Sequence, residues 1–217
     1  CDVQAVTVRQ EQTDIRVFTH NEQAVLCRHL LSNFSLKNAG ILLCLFTGIR
    51  VGELCALRWE NICLQDRVLC VQHTMQRIQT DMPSDQKTKV MITSPKSKHS
   101  IRVIPLPEDF AKLLASIQPE SSSGFFLTGR EHHWVEPRSM QNHFKRVLQC
   151  CAIAPANFHA LRHTFATRCV ELGFDLKSLS EILGHANVNI TMNRYVHPSM
   201  ELKRDHMQKL SSLFAVK

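Results

Sequence analysis

Near the end of the chain His159-Ala-Leu-Arg162 is followed by Gly184-His185 and then by Tyr195, and a second arginine stands far upstream in Thr47-Gly48-Ile49-Arg50-Val51-Gly52-Glu53-Leu54. Arginine presents a planar fork that grips phosphate oxygens in pairs, and histidine donates to or accepts from the same centre near neutral pH. A phenol beside such a clamp is a nucleophile for phosphorus. Transfer of a phosphodiester to a phenol passes through pentacoordinate phosphorus with added charge on its non-bridging oxygens. One well-placed group there is worth roughly 3–4 kcal/mol. Arg50 and Arg162 are the candidates for the clamp, and His185 would complete it. His159 could accept the tyrosine proton or add a hydrogen bond. Tyr195 is the only tyrosine in the chain. Glu53, three residues after Arg50, is a candidate ion-pair partner that would orient it.

These residues need rigid elements to hold them, and the chain supplies helix signals at each. Thr19 with Glu22 forms a capping box that opens a helix through about Leu31. Ser35 can cap the next helix, whose apolar run Ile41-Leu42-Leu43-Cys44-Leu45-Phe46 marks it as core and which ends at Gly48. Arg50 thus emerges just past a buried helix end. Val68, Cys70 and Val71, then Val90 to Ile92, then Ile101, Val103 and Ile104 form three short apolar runs separated by polar stretches, which read as three antiparallel strands. Helices are expected over 108–117 and 138–151. In the last third a helix from about Phe158 to Leu172 stops at Gly173. Its apolar stripe is Leu161, Phe165, Cys169 and Leu172, with His159 and Arg162 projecting from another part of its surface. Asp175 can cap a helix ending at Gly184, with Leu176, Leu179, Ile182 and Leu183 inward, which puts His185 just past its end. A short helix from about Ile190 carries Tyr195. Met200, Lys203, Met207, Leu210 and Phe214 keep helical spacing in the tail, which could dock in cis or onto a neighbouring protomer. The fold class is α+β, mostly helical with a small three-stranded antiparallel sheet at one edge. Residues 1–17 read as a linker or approach segment, 18–198 as the catalytic domain and 199–217 as a helical tail.

In order and local context, Arg50, His159-x-x-Arg162, Gly184-His185 and Asn193-Arg194-Tyr195-Val196-His197 resemble the catalytic domain of tyrosine recombinases, the phage-integrase family, and within it the integrases of conjugative transposons. The resemblance runs from about Phe18 to about Pro198. It matches Arg50 to the first family arginine, His159 and Arg162 to the H-x-x-R pair, His185 to the second histidine and Tyr195 to the nucleophile. The segment Pro95-Lys96-Ser97-Lys98-His99-Ser100-Ile101-Arg102-Val103-Ile104-Pro105 resembles the hairpin that supplies a general-acid lysine. Lys96, before the turn, fits that pattern better; Lys98, at the tip, is the competitor. The resemblance implies a site-specific recombinase that cuts and rejoins double-stranded DNA through a 3′-phosphotyrosyl intermediate, without ATP, cofactor or metal. It further implies a homo-tetrameric synapse on mobile-element ends, a directionality factor, and an N-terminal DNA-clamping domain expected outside these 217 residues. Type IB topoisomerase chemistry and a non-catalytic DNA-binding module with the same fold are the alternative readings.

The composition agrees with a nucleic-acid partner and narrows the rest. The net charge is +7, from 26 Lys+Arg against 19 Asp+Glu, which favours polyanions. Arg77, Lys87, Lys89, Arg102, Arg130, Arg138, Lys145 and Arg146 are candidate phosphate contacts. The nine cysteines include no C-x-x-C and sit in apolar stretches, which indicates reduced, buried thiols rather than a disulfide framework or zinc knuckle. His159 and His163 have the i, i+4 spacing of zinc ligands, but no third ligand or H-E-x-x-H glutamate accompanies them, so His163 reads as structural or phosphate-adjacent. No apolar stretch approaches the roughly 18 residues of a membrane span. A cytoplasmic, nucleoid-associated protein is expected. Trp59 lies in an apolar context and reads as core.

Overall fold

The computed structural model describes residues 16–79, 88–95, 98–119 and 122–195, with residues 204, 207 and 208. Its helices open and close on the residues that sequence chemistry nominates. In α1 (His20–Ser32) the Thr19 hydroxyl accepts from the Glu22 amide while the Glu22 carboxylate accepts from the Thr19 amide, both halves of a capping box. The Ser35 hydroxyl caps α2 (Leu36–Thr47), and Gly48 ends it in the left-handed region at φ 66°. A Cβ on Gly48 would lie 2.6 Å from the Phe165 ring, so both the turn and the packing require glycine there. Nine of the twelve residues of α2 are buried, which makes it the central helix. Arg50 then stands as the N-cap of α3 (Val51–Ala56).

The strands form two small antiparallel sheets. In the first, β1 (Ile62–Cys63) pairs with β2 (Val68–Val71), which pairs with β5 (Arg102–Pro105) with Leu69 opposite Ile104 and Val71 opposite Arg102. In the second, β3 (Thr74–Gln79) pairs with β4 (Thr88–Thr93). The three expected runs are all extended, but the run around Val90 belongs to the second sheet. Its partner β3 reads Thr-Met-Gln-Arg-Ile-Gln, and only Met75 of it is buried, so it carries little apolar alternation. Gly52, two residues past Arg50, lets this hairpin close on α3: a Cβ there would stand 2.7 Å from the Met75 carbonyl oxygen.

The remaining helices are α4 (Glu108–Ala115), α5 (Pro137–Cys150), α6 (Ala160–Glu171), α7 (Leu176–Leu183) and α8 (Val188–Tyr195). Asp175 caps α7 through the Ser178 amide, and Gly184 ends it in the left-handed region at φ 65°. The main core joins α1, α2, α3, α5 and the first turn of α6 around Trp59, Phe126 and Phe144. A second cluster of Ala166, Cys169, Leu179, Leu183 and Tyr195 packs α8 on α6 and α7. Leu172, expected in the α6 stripe, is 77% exposed, because the helix has passed its packing partners by that turn. The eight described cysteines carry free thiols. Among the described residues no helix is long and apolar enough to cross a membrane. Of the expected tail helix, Arg204, Met207 and Gln208 are helical and the rest lies outside the described residues.

One polar cross-link ties these pieces together. Arg102 is not a surface phosphate contact: only 9% of it is exposed, and β5 turns it, with Ile104, toward the interior. Its two terminal nitrogens donate to the two oxygens of Glu53 at 3.1 and 2.9 Å, and its Nε donates to the Ile182 carbonyl at 2.6 Å. Sequence cannot reveal this burial, since Glu53 lies 49 residues away. Burial pushes the Glu53 carboxyl up, but the Arg102 hydrogen bonds and charge, with the Arg50 amide and charge, hold it below its ordinary value of 4.5. A carboxylate so depressed contributes stability that is present above its unfolded value and lost as pH falls through the folded one.

Glu53→Gln is therefore expected to lower stability near neutral pH by about 3–5 kcal/mol, by leaving the buried Arg102 charge unpaired. It is also expected to flatten the part of the acid limb below about 4, while the limb that begins near 6.5 and belongs to the half-buried His163 and His185 persists. Urea unfolding measured between pH 3 and 8 checks both effects.

Candidate active site

Two helix ends and one buried guanidinium build this site. Arg162 lies in the first turn of α6 and is 2% exposed, so it does not project from the surface as the helical spacing suggests. Its Nη1 donates to the Gly48 carbonyl at 2.8 Å and its Nη2 to the Leu183 carbonyl at 2.7 Å. Those carbonyls belong to the C-terminal ends of α2 and α7, where unpaired backbone oxygens and the negative end of the helix dipole favour a cation. The same two left-handed turns then release Arg50 and His185. Arg162 thus fixes, in one place, the exits of both segments that carry the other charged candidates. Burial, then the Arg50 charge, lowers its pKa to about 9, so it remains a cation at neutral pH.

Arg50 is held from the other side. Its amide donates to Glu53 Oε2 at 2.8 Å and its Nη1 to Glu53 Oε1 at 2.9 Å, while its side chain stays 38% exposed. The expected pairing of Arg50 with Glu53 is present, and the same carboxylate also takes both Arg102 nitrogens. Arg102 joins this carboxylate to β5 and to the end of α7. The turn Lys98–Ser100 closes on the same place, since a Cβ on Gly184 would stand 3.1 Å from the His99 carbonyl and from Arg102. Lys96 lies outside the described residues.

The histidines are neutral and differently occupied. His185 Nδ1 meets the Thr191 hydroxyl at 2.8 Å, and burial followed by the charges of Arg162 and Arg50 pushes it down to about 3. His159 is the N-cap of α6 and is pushed down to about 4 by burial and then Arg162. It stands edge-on to His163, with ring centroids 4.5 Å apart. His163, not His159, touches the phenol: its Nδ1 lies 2.9 Å from the Tyr195 hydroxyl. Burial, then His159, pushes His163 down to about 4. Tyr195 is 8% exposed, and burial raises its pKa against the pull of Arg162 and Arg194. A neutral phenol hydrogen-bonded to a neutral imidazole, with two arginines bearing on it, can attack an electrophile once its proton has an acceptor. Among the described residues no group of three or more His, Cys, Asp or Glu side chains is placed to hold a metal ion.

The structure therefore brings Arg50, His159, Arg162, His185 and Tyr195 to one site. It adds Thr191, which the sequence did not single out, and gives Arg102 and His163, read from sequence as a phosphate contact and as structural or phosphate-adjacent, contacts with Glu53 and with Tyr195. His163 had a signal, since i and i+4 on α6 put it one turn beyond His159 on the same face. Thr191 had none beyond its position in the last helix.

Comparison with known proteins agrees in family and fold. The model of the phage integrase family matches residues 16–201. A protein described as tyrosine recombinase XerC-like, from Caldanaerobacter subterraneus subsp. tengcongensis, is 30% identical over 94% of this chain and 56% of its own length. The transposase from transposon Tn916 of Enterococcus faecalis is 26% identical over 79% of this chain and 44% of its own. The Tn1549 transposon integrase, solved in complex with transposon right end DNA, superposes with a TM-score of 0.76 at 23% identity, over 97% of this chain and 71% of that one. The chain spans about half the length of the curated relatives it matches. With the family model matching nearly all its length and its fold shared, the chain belongs to the phage integrase family.

Proposed function

We propose that this chain is the catalytic portion of a tyrosine recombinase that integrates or excises a mobile element by cutting and rejoining double-stranded DNA. The observation that carries this reading is the placement of the lone tyrosine, with its hydroxyl on an imidazole, beside Arg162 and within the field of Arg50. The kinship with a conjugative-transposon transposase and with a XerC-like recombinase supports it.

In this reading the non-bridging oxygens of the scissile phosphate sit between Arg50 and Arg162, with His185 as a further donor. The three groups are pre-set by Glu53, by the two helix ends and by Thr191, so little reorganisation accompanies the reaction. The Tyr195 oxygen attacks phosphorus, the bond to the 5′ oxygen breaks, and DNA is left joined through a 3′-phosphotyrosyl bond. Attack by a 5′ hydroxyl from the partner strand reverses the step. Because the covalent bond stores the phosphodiester energy, no ATP or cofactor enters, and the arginines carry the charge that a metal would otherwise carry. Lys96, preceding the turn that packs on Gly184, is assigned the proton for the leaving 5′ oxygen. The assembly is a homo-tetramer on two element ends or on an end and its target, with a directionality factor biasing the outcome. Such an enzyme acts in the cytoplasm, at the nucleoid.

Two experiments test this. Fluorescent nicked duplexes tiled across the DNA flanking the gene, incubated with EDTA, are expected to give a protein–DNA band on a denaturing gel that disappears in Tyr195→Phe. A band that persists in Tyr195→Phe would refute the nucleophile. Lys96→Ala is expected to slow band formation by about 10²-fold or more while gel-shift affinity stays within threefold; unchanged cleavage would move the leaving-group role to Lys98.

A further inference from the structure

We infer that His163, rather than His159, is the base that takes the phenolic proton of Tyr195 during strand cleavage. This rests on the recombinase reading above and assigns it a further catalytic residue. The geometry is direct, with Nδ1 2.9 Å from the hydroxyl oxygen and both rings half-buried or buried, so that bulk water is a poor competitor. The Arg194 charge also bears on the phenol, but a guanidinium has only donors and cannot receive a proton. His159 sits at the N-terminal end of α6, where the positive end of the helix dipole disfavours an imidazolium, and its ring meets His163 edge-on. One turn further on, His163 is beyond that end.

The groups facing His163 are His159 and Arg162 on α6 and Arg194 and Tyr195 on α8. Burial first, and then the charges among them, keep His163 neutral at rest, and for Nδ1 to accept the phenolic proton Nε2 carries the ring hydrogen. In cleavage the tyrosine oxygen–phosphorus bond forms as the phenolic proton passes to Nδ1, and the phosphorus–5′ oxygen bond breaks as that oxygen gains a separate proton. The imidazolium so formed is offset by the negative charge gathering on the phosphoryl oxygens. During rejoining His163 returns the same proton to the departing phenolate. A base this close is worth about 10²–10⁴-fold in rate.

The test uses the full chain and the tiled duplex it cleaves best, with single-turnover adduct formation as the readout. His163→Ala is expected to fall by about 10²–10⁴-fold. Added imidazole is expected to restore at least about tenfold of that loss, while 1,2,4-triazole, of similar size but a far weaker base, restores little. His163→Asn keeps the size and an acceptor, so if the alanine variant fails to fold this one must show the same loss. The loss must also persist on a duplex with sulfur in place of the scissile 5′ oxygen, because a better leaving group replaces the general acid and not the base. Several results would overturn the assignment while leaving the recombinase intact: His163→Ala cleaving within threefold of the parent, equal rescue by both azoles, or full recovery on the sulfur duplex. A parent chain that forms no adduct at Tyr195 would overturn both.

Discussion

A buried carboxylate shared by two arginines governs the geometry of this molecule. Glu53 accepts a two-pronged contact from Arg102, and an amide and a guanidinium contact from Arg50. Removing such charges from water costs several kcal/mol per ion, and replacement by apolar residues of equal volume is often no worse for stability. Its value here is placement. Three pieces distant in sequence, the first turn of α3, strand β5 and the end of α7, meet through Glu53, Arg102 and the Ile182 carbonyl. The candidate cation Arg50 and the exit toward His185 are therefore set by one rigid network, and each oxygen of the carboxylate is hydrogen-bonded.

The second device is the use of helix C-termini to hold positive charge. Arg162 would be costly to bury alone, but the carbonyls at the ends of α2 and α7 receive it and the dipoles of both helices favour it. Left-handed glycines at 48 and 184 then turn the chain sharply, so that Arg50 and His185 follow within two residues. Arg50, Arg102 and Arg162 still repel one another, and the Glu53 carboxylate offsets only part of that. The surplus favours an anion at the site and adds to burial in keeping the surrounding histidines neutral, His185 most of all. Function and fold pull in opposite directions here, since the repulsion that destabilises the folded chain also prepares the site for a phosphate.

Much of this was legible in the sequence because it is local. The Thr19, Ser35 and Asp175 caps and the Gly48 and Gly184 stops are set by chemistry within a few residues, and each stands where expected. Arg50 and His185 are placed for the same reason, as each follows one of those glycine stops. What was hidden depends on distant partners. In β5 the pattern Ile101, Arg102, Val103 reads as an apolar strand around an outward arginine. The interior instead takes Arg102, and leaves Ile101 and Val103 51% and 58% exposed, because Glu53 waits on the far side. Strand β3 escaped for the opposite reason: too few of its residues are buried to leave a period. The partnership of His163 with Tyr195 joins two helices across 32 residues, which no spacing rule anticipates.

The central claim is that Arg50 acts through the position that Glu53 and Arg102 give it. The most direct measurement is a double-mutant cycle on the rate of covalent adduct formation, using Arg50→Ala, Arg102→Ala and the pair. If Arg102 works by positioning Arg50, removing it from a chain that already lacks Arg50 adds little, and the coupling reaches at least about 1.4 kcal/mol, a factor of ten. Rate losses that simply multiply, with coupling within about 0.5 kcal/mol of zero, would contradict the account.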